Sequence, residues 1–323
     1  MTTATARSSD LASRIRLNLR AVVGRAYPRV IGANREPSWF FFEAILPLLG
    51  IASYVFIYEA FGARAIETIM DGWCLDHACA SPDEIATYVA AAKANTNALI
   101  ASVVLGGTMV AFWLNVLWSM ASQLYWEKEI GNLQLYMMAP MNRMALLGGM
   151  ALGGMFMTSV RAVSTLVTGV IVFGVLFQVA DPLLLLAVFF VTLVALYGMG
   201  MMFASLYLLW GREAWHMSAL MEEPIFFASG FYFPIGGLIP AGAWGRAIAV
   251  AGTIIPAGLG LDAMRQLVLG RTAFGGGLWL FSAEVELGIL LVLAVVFLVL
   301  ARYALAYLEM LAKREGKLTS RHQ

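Results

Sequence analysis

The feature that most constrains this chain is a series of long apolar runs separated by short polar segments. A run of about 20 apolar residues is long enough to cross a hydrocarbon core of roughly 30 Å as a helix. Of all residues, 61% are hydrophobic and 13% are charged, whereas soluble domains carry roughly a quarter charged residues. The sequence therefore predicts an all-α membrane protein.

Six spans are predicted, and their order divides the chain into three parts. Residues 1–38 form an N-terminal tail with an amphipathic interfacial helix, residues 39–308 form the six-span domain, and residues 309–323 form a basic tail. A polar external loop is expected at 62–95. The spans are placed at 39–61, 96–123, 144–177, 183–210, from Ala214 onward, and at 285–307.

The distribution of charge predicts the orientation of these spans. Residues 1–38 contain seven arginines against Asp10 and Glu36, while the 62–95 loop is acidic. Because cytoplasmic segments are enriched in Lys and Arg, both chain ends are expected on the cytoplasmic side of the membrane. The membrane is expected to be a bacterial-type inner membrane. From Leu11 to Val30, apolar residues recur at helical spacing with arginines mostly on the other face, which is typical of a helix lying in the interface of an anionic leaflet. At the least, this helix is expected to keep the N-terminus on the cytoplasmic side.

Both cysteines, Cys74 and Cys79, lie in the predicted external loop. A disulfide is permitted outside the cytoplasm, and a pair at this spacing can close a small ring. Free thiols are the alternative. Two cysteines with His77 between them are weak evidence for a metal, so no metal site is predicted.

Between the second and third spans lies a short polar stretch, 125–140, which must sit at a membrane face. It contains Glu127, Glu129, Gly131 and Asn132, followed by a short amphipathic helix that Pro140 ends. We expect the two glutamates at a helix N-terminus, where they complement its dipole. An ordinary interfacial loop is the alternative interpretation of this stretch.

A second unusual region, 229–270, is apolar but dense in glycine and proline. It begins Ser-Gly-Phe-Tyr-Phe-Pro at 229–234 and later contains Pro256 and the pair Asp262 and Arg265. Glycine and proline at this density argue against one uninterrupted helix, and broken helices are tolerated where they are buried or line a cavity. Two further full spans are the alternative.

The 125–140 stretch, the 229–265 pattern and the order of spans resemble the type-2 ABC exporter permeases, membrane subunits that export drugs, lipids and polysaccharides. The resemblance implies that 126–140 is a cytoplasmic coupling helix contacting an ATPase, and that 229–270 forms re-entrant helices capping the outer mouth between the fifth and sixth spans. It also implies that the N-terminal helix packs beside the ATPase. The coupling residues are then Glu127, Glu129, Gly131, Leu133, Leu135 and Pro140. The outer gate residues are then Ser229, Gly230, Phe231, Tyr232, Phe233 and Pro234.

Three charges lie inside predicted spans: Arg161 in the third, and Glu222 and Glu223 in the fifth. Charges at this depth are costly and face a protein interior, a cavity or a partner of opposite charge. An Arg161–glutamate pair that holds two spans together is one interpretation. A substrate or proton site is the other.

The chain contains no G-x-x-x-x-G-K-[ST] motif and no recognisable hydrolytic motif. It is therefore not expected to be an enzyme by itself or to bind a cofactor. The resemblance implies a P-loop ATPase on separate chains, in two copies, which binds ATP and Mg, and a second permease copy that forms a homodimer. Membrane lipids are expected partners and nucleic acid is not.

The expected function is ATP-driven export of a hydrophobic or amphipathic substrate, such as a drug, lipid or lipid-linked glycan, by alternating access. Polysaccharide export by the same family is an alternative. A gradient-driven transporter that uses Arg161, Glu222 and Glu223 is another, as is a membrane anchor or sensor whose polar stretch recruits a soluble partner.

Overall fold

The computed structural model describes residues 2–35, 37–76, 82–210, 213–271 and 273–315, and within them every regular element is helical. A π-helical segment, Asn115–Met120, follows α3, and a 3-10 helix, Ile235–Ala241, precedes α9. The α-helices are α1 (Thr2–Arg35), α2 (Pro37–Asp76), α3 (Pro82–Leu114), α4 (Gln123–Ile130), α5 (Asn132–Met138), α6 (Arg143–Ile171), α7 (Pro182–Trp210), α8 (Ala214–Ala228), α9 (Ala243–Ile254), α10 (Pro256–Leu269) and α11 (Ala283–Arg314).

Five of these helical stretches are long and apolar enough to cross a membrane, and α9 with α10 makes a sixth if that bent pair is one span. The multi-pass membrane protein expected from the sequence is thus confirmed at this level. The predicted fifth span corresponds to α8, which has 15 residues. Since a helix rises about 1.5 Å per residue, α8 alone is shorter than a span.

The predicted loop at 62–95 is wrong for most of its length. α2 continues to Asp76 and α3 begins at Pro82, so helix replaces loop on both sides. The polar residues there are good helix formers, such as Glu67 and Lys93, and do not end a helix. Asp83 and Glu84 lie in the first turn of α3, where negative charge complements the helix dipole.

The long stretch built on α3 is the centre of the bundle. In the most apolar window of this stretch, 83% of the residues are buried. In the most apolar window of α11 only 22% are buried, so most of that helix lies at the surface of the bundle. Trp113 and Phe112 are almost fully buried at the end of α3. Because α3 packs against α2, α6 and α10, it connects helices that are far apart in the sequence.

Glycines set two close helix contacts. A methyl group on Gly149 would lie 2.7 Å from the Val22 carbonyl oxygen, and one on Gly153 would lie 3.2 Å from the Arg29 side chain. Gly149 and Gly153, which are four residues apart on α6, therefore allow α1 to pack closely against α6. On α3, Gly106 lies under the Phe231 carbonyl and Gly107 lies against Ile51 of α2.

The predicted basic tail at 309–323 begins within α11, which extends to Arg314. Glu309 is buried there and bridges Arg143 of α6 at 2.9 Å and Lys313 at 2.5 Å. These contacts attach the end of α11 to the start of α6. The remainder of the predicted tail, 316–323, lies outside the described residues.

Candidate functional site

The predicted coupling stretch is an elbow of two short helices, α4 and α5, which we call the α4–α5 elbow. Gly131 separates them with φ of 89°, in the left-handed region that favours glycine. Its N–H donates to the Lys128 carbonyl and ends α4. The single coupling helix expected over 126–140 is therefore two helices that meet at Gly131.

Glu127 and Glu129 do not lie at a helix N-terminus, so that expectation is wrong. They occupy the second half of α4, which starts at Gln123 because the chain leaves the π-helical segment directly into it. Glu127 is buried, with its side chain 8% exposed. Its carboxylate therefore needs a partner, and its position near the C-terminus of α4 gives it no help from the helix dipole.

Arg25 of α1 supplies that partner. Its Nη2 donates to Glu127 Oε1, and Asn132 Nδ2 donates to Glu127 Oε2 at 3.1 Å. Arg25 Nη1 also donates to the Tyr136 hydroxyl at 3.4 Å, and the guanidinium stands 5.8 Å from the centre of that ring. Burial raises the pKa of the Tyr136 phenol, which stays protonated. One arginine thus joins α1 to both helices of the elbow.

The opposite face of the elbow is apolar and open. Leu133 is 1% exposed and anchors α5 in the core, while the side chains of Ile130, Leu135 and Met138 are 66%, 62% and 74% exposed. Pro140, just beyond α5, is also exposed, and Glu129 is half-buried. Of the predicted coupling residues, Glu127 and Leu133 therefore point inward, and Leu135 and Pro140 are available to a partner.

The six predicted gate residues form one packed turn, the 229–234 turn, between α8 and the 3-10 helix. Gly230 has φ of 58° and Phe231 is fully buried. Tyr232 stacks on Tyr54 of α2 with ring centres 3.9 Å apart, and the Tyr58 hydroxyl donates to the Tyr232 carbonyl at 3.0 Å. Ser229 and Pro234 are buried. The turn is thus pinned between α2 and α3.

Arg265 of α10 holds this turn from inside. Nη1 donates to the carbonyls of Gly230 and Phe233 at 2.9 and 3.1 Å, and Nη2 donates to those of Phe231 and Ser102 at 2.8 and 3.1 Å. The residue is 1% exposed. It satisfies carbonyls that a tight turn leaves without helical donors, and it ties the turn to α3.

One turn of α10 also places Asp262 beside the start of α11. Asp262 Oδ2 accepts from the Leu280 N–H at 3.0 Å, and Gln266 Nε2 stands 3.3 Å from Asp262 Oδ2 and 3.2 Å from Glu286 Oε2. Asp262 and Arg265 were in the sequence motif, but Gln266 and Glu286 were missed. Their signal is weak, because only the fold brings α11 to the i, i+4 face of α10.

The 229–270 region contains a sharp bend, where α9 and α10 meet at 96° across Ile255 and Pro256. Proline at the first position of α10 cannot continue α9 because it lacks an N–H. Either a broken span or a re-entrant element fits this angle. In both cases the prediction of interrupted helix over 229–270 is correct.

The three intramembrane charges lie in different surroundings. Glu222 Oε2 accepts from the Trp118 indole N–H at 2.9 Å, so its partner is an indole on the π-helical segment. Glu223 is exposed, and Arg161 lines a cleft together with Trp118. The contact with Trp118 gives Glu222 a structural partner, and the role of Arg161 stays a prediction.

The disulfide predicted between Cys74 and Cys79 falls outside the residues whose side chains the structure describes. It stays a prediction.

A scan against protein-family models and a search of curated proteins find no match for this chain. The functional argument therefore rests on the geometry of the site and on the sequence resemblance.

Proposed function

We propose that this chain is the permease subunit of an ATP-driven exporter of the type-2 ABC class. The observation that carries the proposal is the α4–α5 elbow. It stands at the end of the central helical stretch, is attached to the bundle through Arg25 and Leu133, and offers an apolar face to a partner. A short rigid element with one anchored face and one open face suits the transfer of motion from a soluble motor.

The proposed mechanism is alternating access. Closure of two ATPase subunits pushes the elbow, the spans rock, and the element that contains the 229–234 turn opens on the other side of the membrane. The central helix supports this route, because α3 leads directly into the elbow and contacts the turn through Gly106. In this scheme 229–270 is re-entrant and both chain ends are cytoplasmic, in the inner membrane of a bacterial-type cell.

The proposed assembly contains two copies of this permease and two P-loop ATPase subunits, which bind ATP and Mg. The permease itself performs no chemistry. Its exposed apolar helix faces, such as that of α11, suit lipid and a second copy. The proposed substrate is a hydrophobic or amphipathic molecule that leaves the cytoplasm or the inner leaflet.

The test is purification of the chain from its native membrane, with mass spectrometry for proteins that carry a P-loop motif, followed by ATP turnover in lipid. We expect a P-loop ATPase to co-purify with the wild type. The variant Met138→Arg, which places a charge on the open face of the elbow, is expected to reduce retention of that subunit at least tenfold, an effect of about 1.4 kcal/mol or more.

Met310→Arg is the matched control, since Met310 is also an exposed methionine near the same end of the bundle, at 45% exposure, but on α11. It is expected to retain the ATPase. Absence of any P-loop protein with the wild type overturns the proposal. Equal loss with both variants shows that the elbow is not the docking surface.

A further inference from the structure

A cleft of about 280 Å³ opens between the start of α6 and the second half of α11. Residues 141–144 line one side of it, and residues of α11 between Arg302 and Glu309 line the other. This volume lies below the roughly 300–1,000 Å³ of pockets that enclose a drug-sized ligand. The head group of a lipid can therefore enter the cleft, whereas a whole lipid cannot.

The length of α11 places this cleft near the membrane surface. The helix has 32 residues, about 48 Å at 1.5 Å per residue, and a hydrocarbon core is roughly 30 Å thick. Charged residues in its first and last turns, such as Glu284 and Lys313, keep both ends in water, so Arg302 lies within about 10 Å of the nearer edge of the core. Tyr303 and Tyr307 beside it are 70% and 60% exposed, and tyrosine is enriched where lipid meets water. The Arg302 side chain can therefore reach the level of the lipid head groups.

Positive charge exceeds negative charge at this cleft. Glu309 is buried, and its carboxylate pairs with Arg143 at 2.9 Å and with Lys313 at 2.5 Å. Arg302 is exposed, and it makes no hydrogen bond or ion pair with the residues that the structure describes. Three cations thus share one carboxylate, which leaves an excess of two positive charges. Because an arginine at this depth is costly without a partner of opposite charge, the cleft favours an anion.

A neutral donor and an apolar wall complete the cleft. Asn142 Oδ1 accepts from the Met144 N–H at 2.9 Å and caps α6, which leaves the Nδ2 hydrogens of the same amide for a ligand. Met141, Met144 and Leu305 form the apolar wall. Phosphate oxygens accept hydrogen bonds, and guanidinium groups match them in shape and charge. The cleft therefore offers donors to a phosphate and apolar surface to the carbon atoms attached to it.

From this geometry we infer that the cleft binds the phosphate of an anionic lipid head group through Arg302, Arg143 and Asn142. Basic pockets between membrane-spanning helices on the cytoplasmic side, the side expected for this end of α11, bind such head groups. The bound lipid joins α11 to the start of α6, which follows the α4–α5 elbow in the chain. The inference goes beyond the proposed export function, because this lipid is a fixed part of the assembly and not the substrate. Its binding needs neither ATP nor an ATPase.

The test is native mass spectrometry of the purified full chain in detergent, titrated with phosphatidylglycerol, phosphatidylcholine or glycerol 3-phosphate. We expect phosphatidylglycerol to bind at least tenfold more tightly than phosphatidylcholine, whose choline group is repelled by the excess positive charge. Arg302→Gln is expected to weaken phosphatidylglycerol binding about tenfold, as for loss of a hydrogen bond to a charged group. Ala306→Glu is expected to weaken it at least as much, because the new carboxylate lies one turn from Arg302 and competes with the phosphate. Both positions are exposed, so neither variant disturbs the core.

Arg314→Gln is the matched control, since it removes the same charge from an exposed position at the end of the same helix. It is expected to change the affinity less than twofold, which separates the cleft from general attraction of basic residues to anionic lipid. Equal binding of the two lipids, or equal effects of Arg302→Gln and Arg314→Gln, overturns the inference. Binding of glycerol 3-phosphate as tight as that of phosphatidylglycerol overturns the lipid and replaces it with a soluble phosphate ester. A chain that passes this test but recruits no ATPase overturns the exporter and leaves the lipid site intact.

Discussion

Two arginines join distant parts of the chain in opposite ways. Arg25 is 21% exposed at its side chain and pairs with the carboxylate of Glu127, while Arg265 is 1% exposed and donates to four backbone carbonyls. If the first pair opens, water can reach the Arg25 guanidinium, and the buried Glu127 carboxylate keeps Asn132 as a donor. If Arg265 withdraws, buried carbonyls and a buried guanidinium lose their partners. The elbow therefore has the weaker attachment and is the moving end in the proposed mechanism, whereas several buried hydrogen bonds hold the shape of the 229–234 turn.

The largest effect is expected from Arg265→Met, which keeps an unbranched apolar stem but removes the guanidinium donors. We expect a loss of about 4 kcal/mol in the free energy of unfolding, because the carbonyls of Phe231 and Phe233 lose their donor in a buried site and the link to α3 is broken. Unfolding in mixed micelles measures it. Arg246→Met is the control, as Arg246 is exposed on α9. If Arg265→Met is as stable as this control, the turn does not depend on the buried arginine.

Gly106→Ala is expected to have the next largest effect. The added methyl carbon would lie 1.5 Å from the Phe231 carbonyl oxygen, and both atoms belong to rigid backbone. We expect a loss of about 3 kcal/mol, the upper part of the range for overpacked cores. Gly148→Ala is the matched control: nothing lies within 4 Å of its added carbon, so the better helix propensity of alanine shows alone. Equal thermal stability of the two variants would contradict the close contact.

These two sites also show how much of the structure can be predicted from the sequence. Apolar runs predict the helices, and the glycine and proline pattern predicts the break in 229–270, because both are local properties. The contacts of Arg265 could not be predicted from the sequence. Its partners are backbone carbonyls, which no residue type signals, and they lie up to 163 positions away. The role of Glu127 as a coupling residue stays a prediction, but its predicted position at a helix N-terminus was wrong. The start of α4 depends on how the π-helical segment ends, which no local residue type signals.

The Arg25–Glu127 pair is expected to give a smaller effect on stability and a larger one on coupling. A double-mutant cycle of Arg25→Gln and Glu127→Gln in mixed micelles is expected to give a coupling energy of about 2 kcal/mol, as for a partly buried charged hydrogen bond. In the complex with the ATPase, either single variant is expected to leave ATP turnover present and reduce its stimulation by substrate. Glu213→Gln is the control, since it removes an exposed carboxylate just before α8. A coupling energy near zero would mean that α1 and the elbow are not joined through this pair.

The smallest effect sharpens the contrast, because it concerns the hinge of the elbow itself. Gly131 has φ of 89°, and an alanine there costs about 1 kcal/mol because its Cβ crowds the backbone in the left-handed region. Asparagine tolerates that region better, so Gly131→Asn is expected to cost less than half as much. The same unfolding measurement, combined with ATP turnover of the assembled complex, checks both. If Gly131→Ala impairs coupling while Gly131→Asn preserves it, the angle between α4 and α5 is what the moving end requires. Equal and neutral behaviour would instead show that the elbow can bend without a left-handed residue, and the distinction between a moving end and a fixed turn would then rest on Arg25 alone.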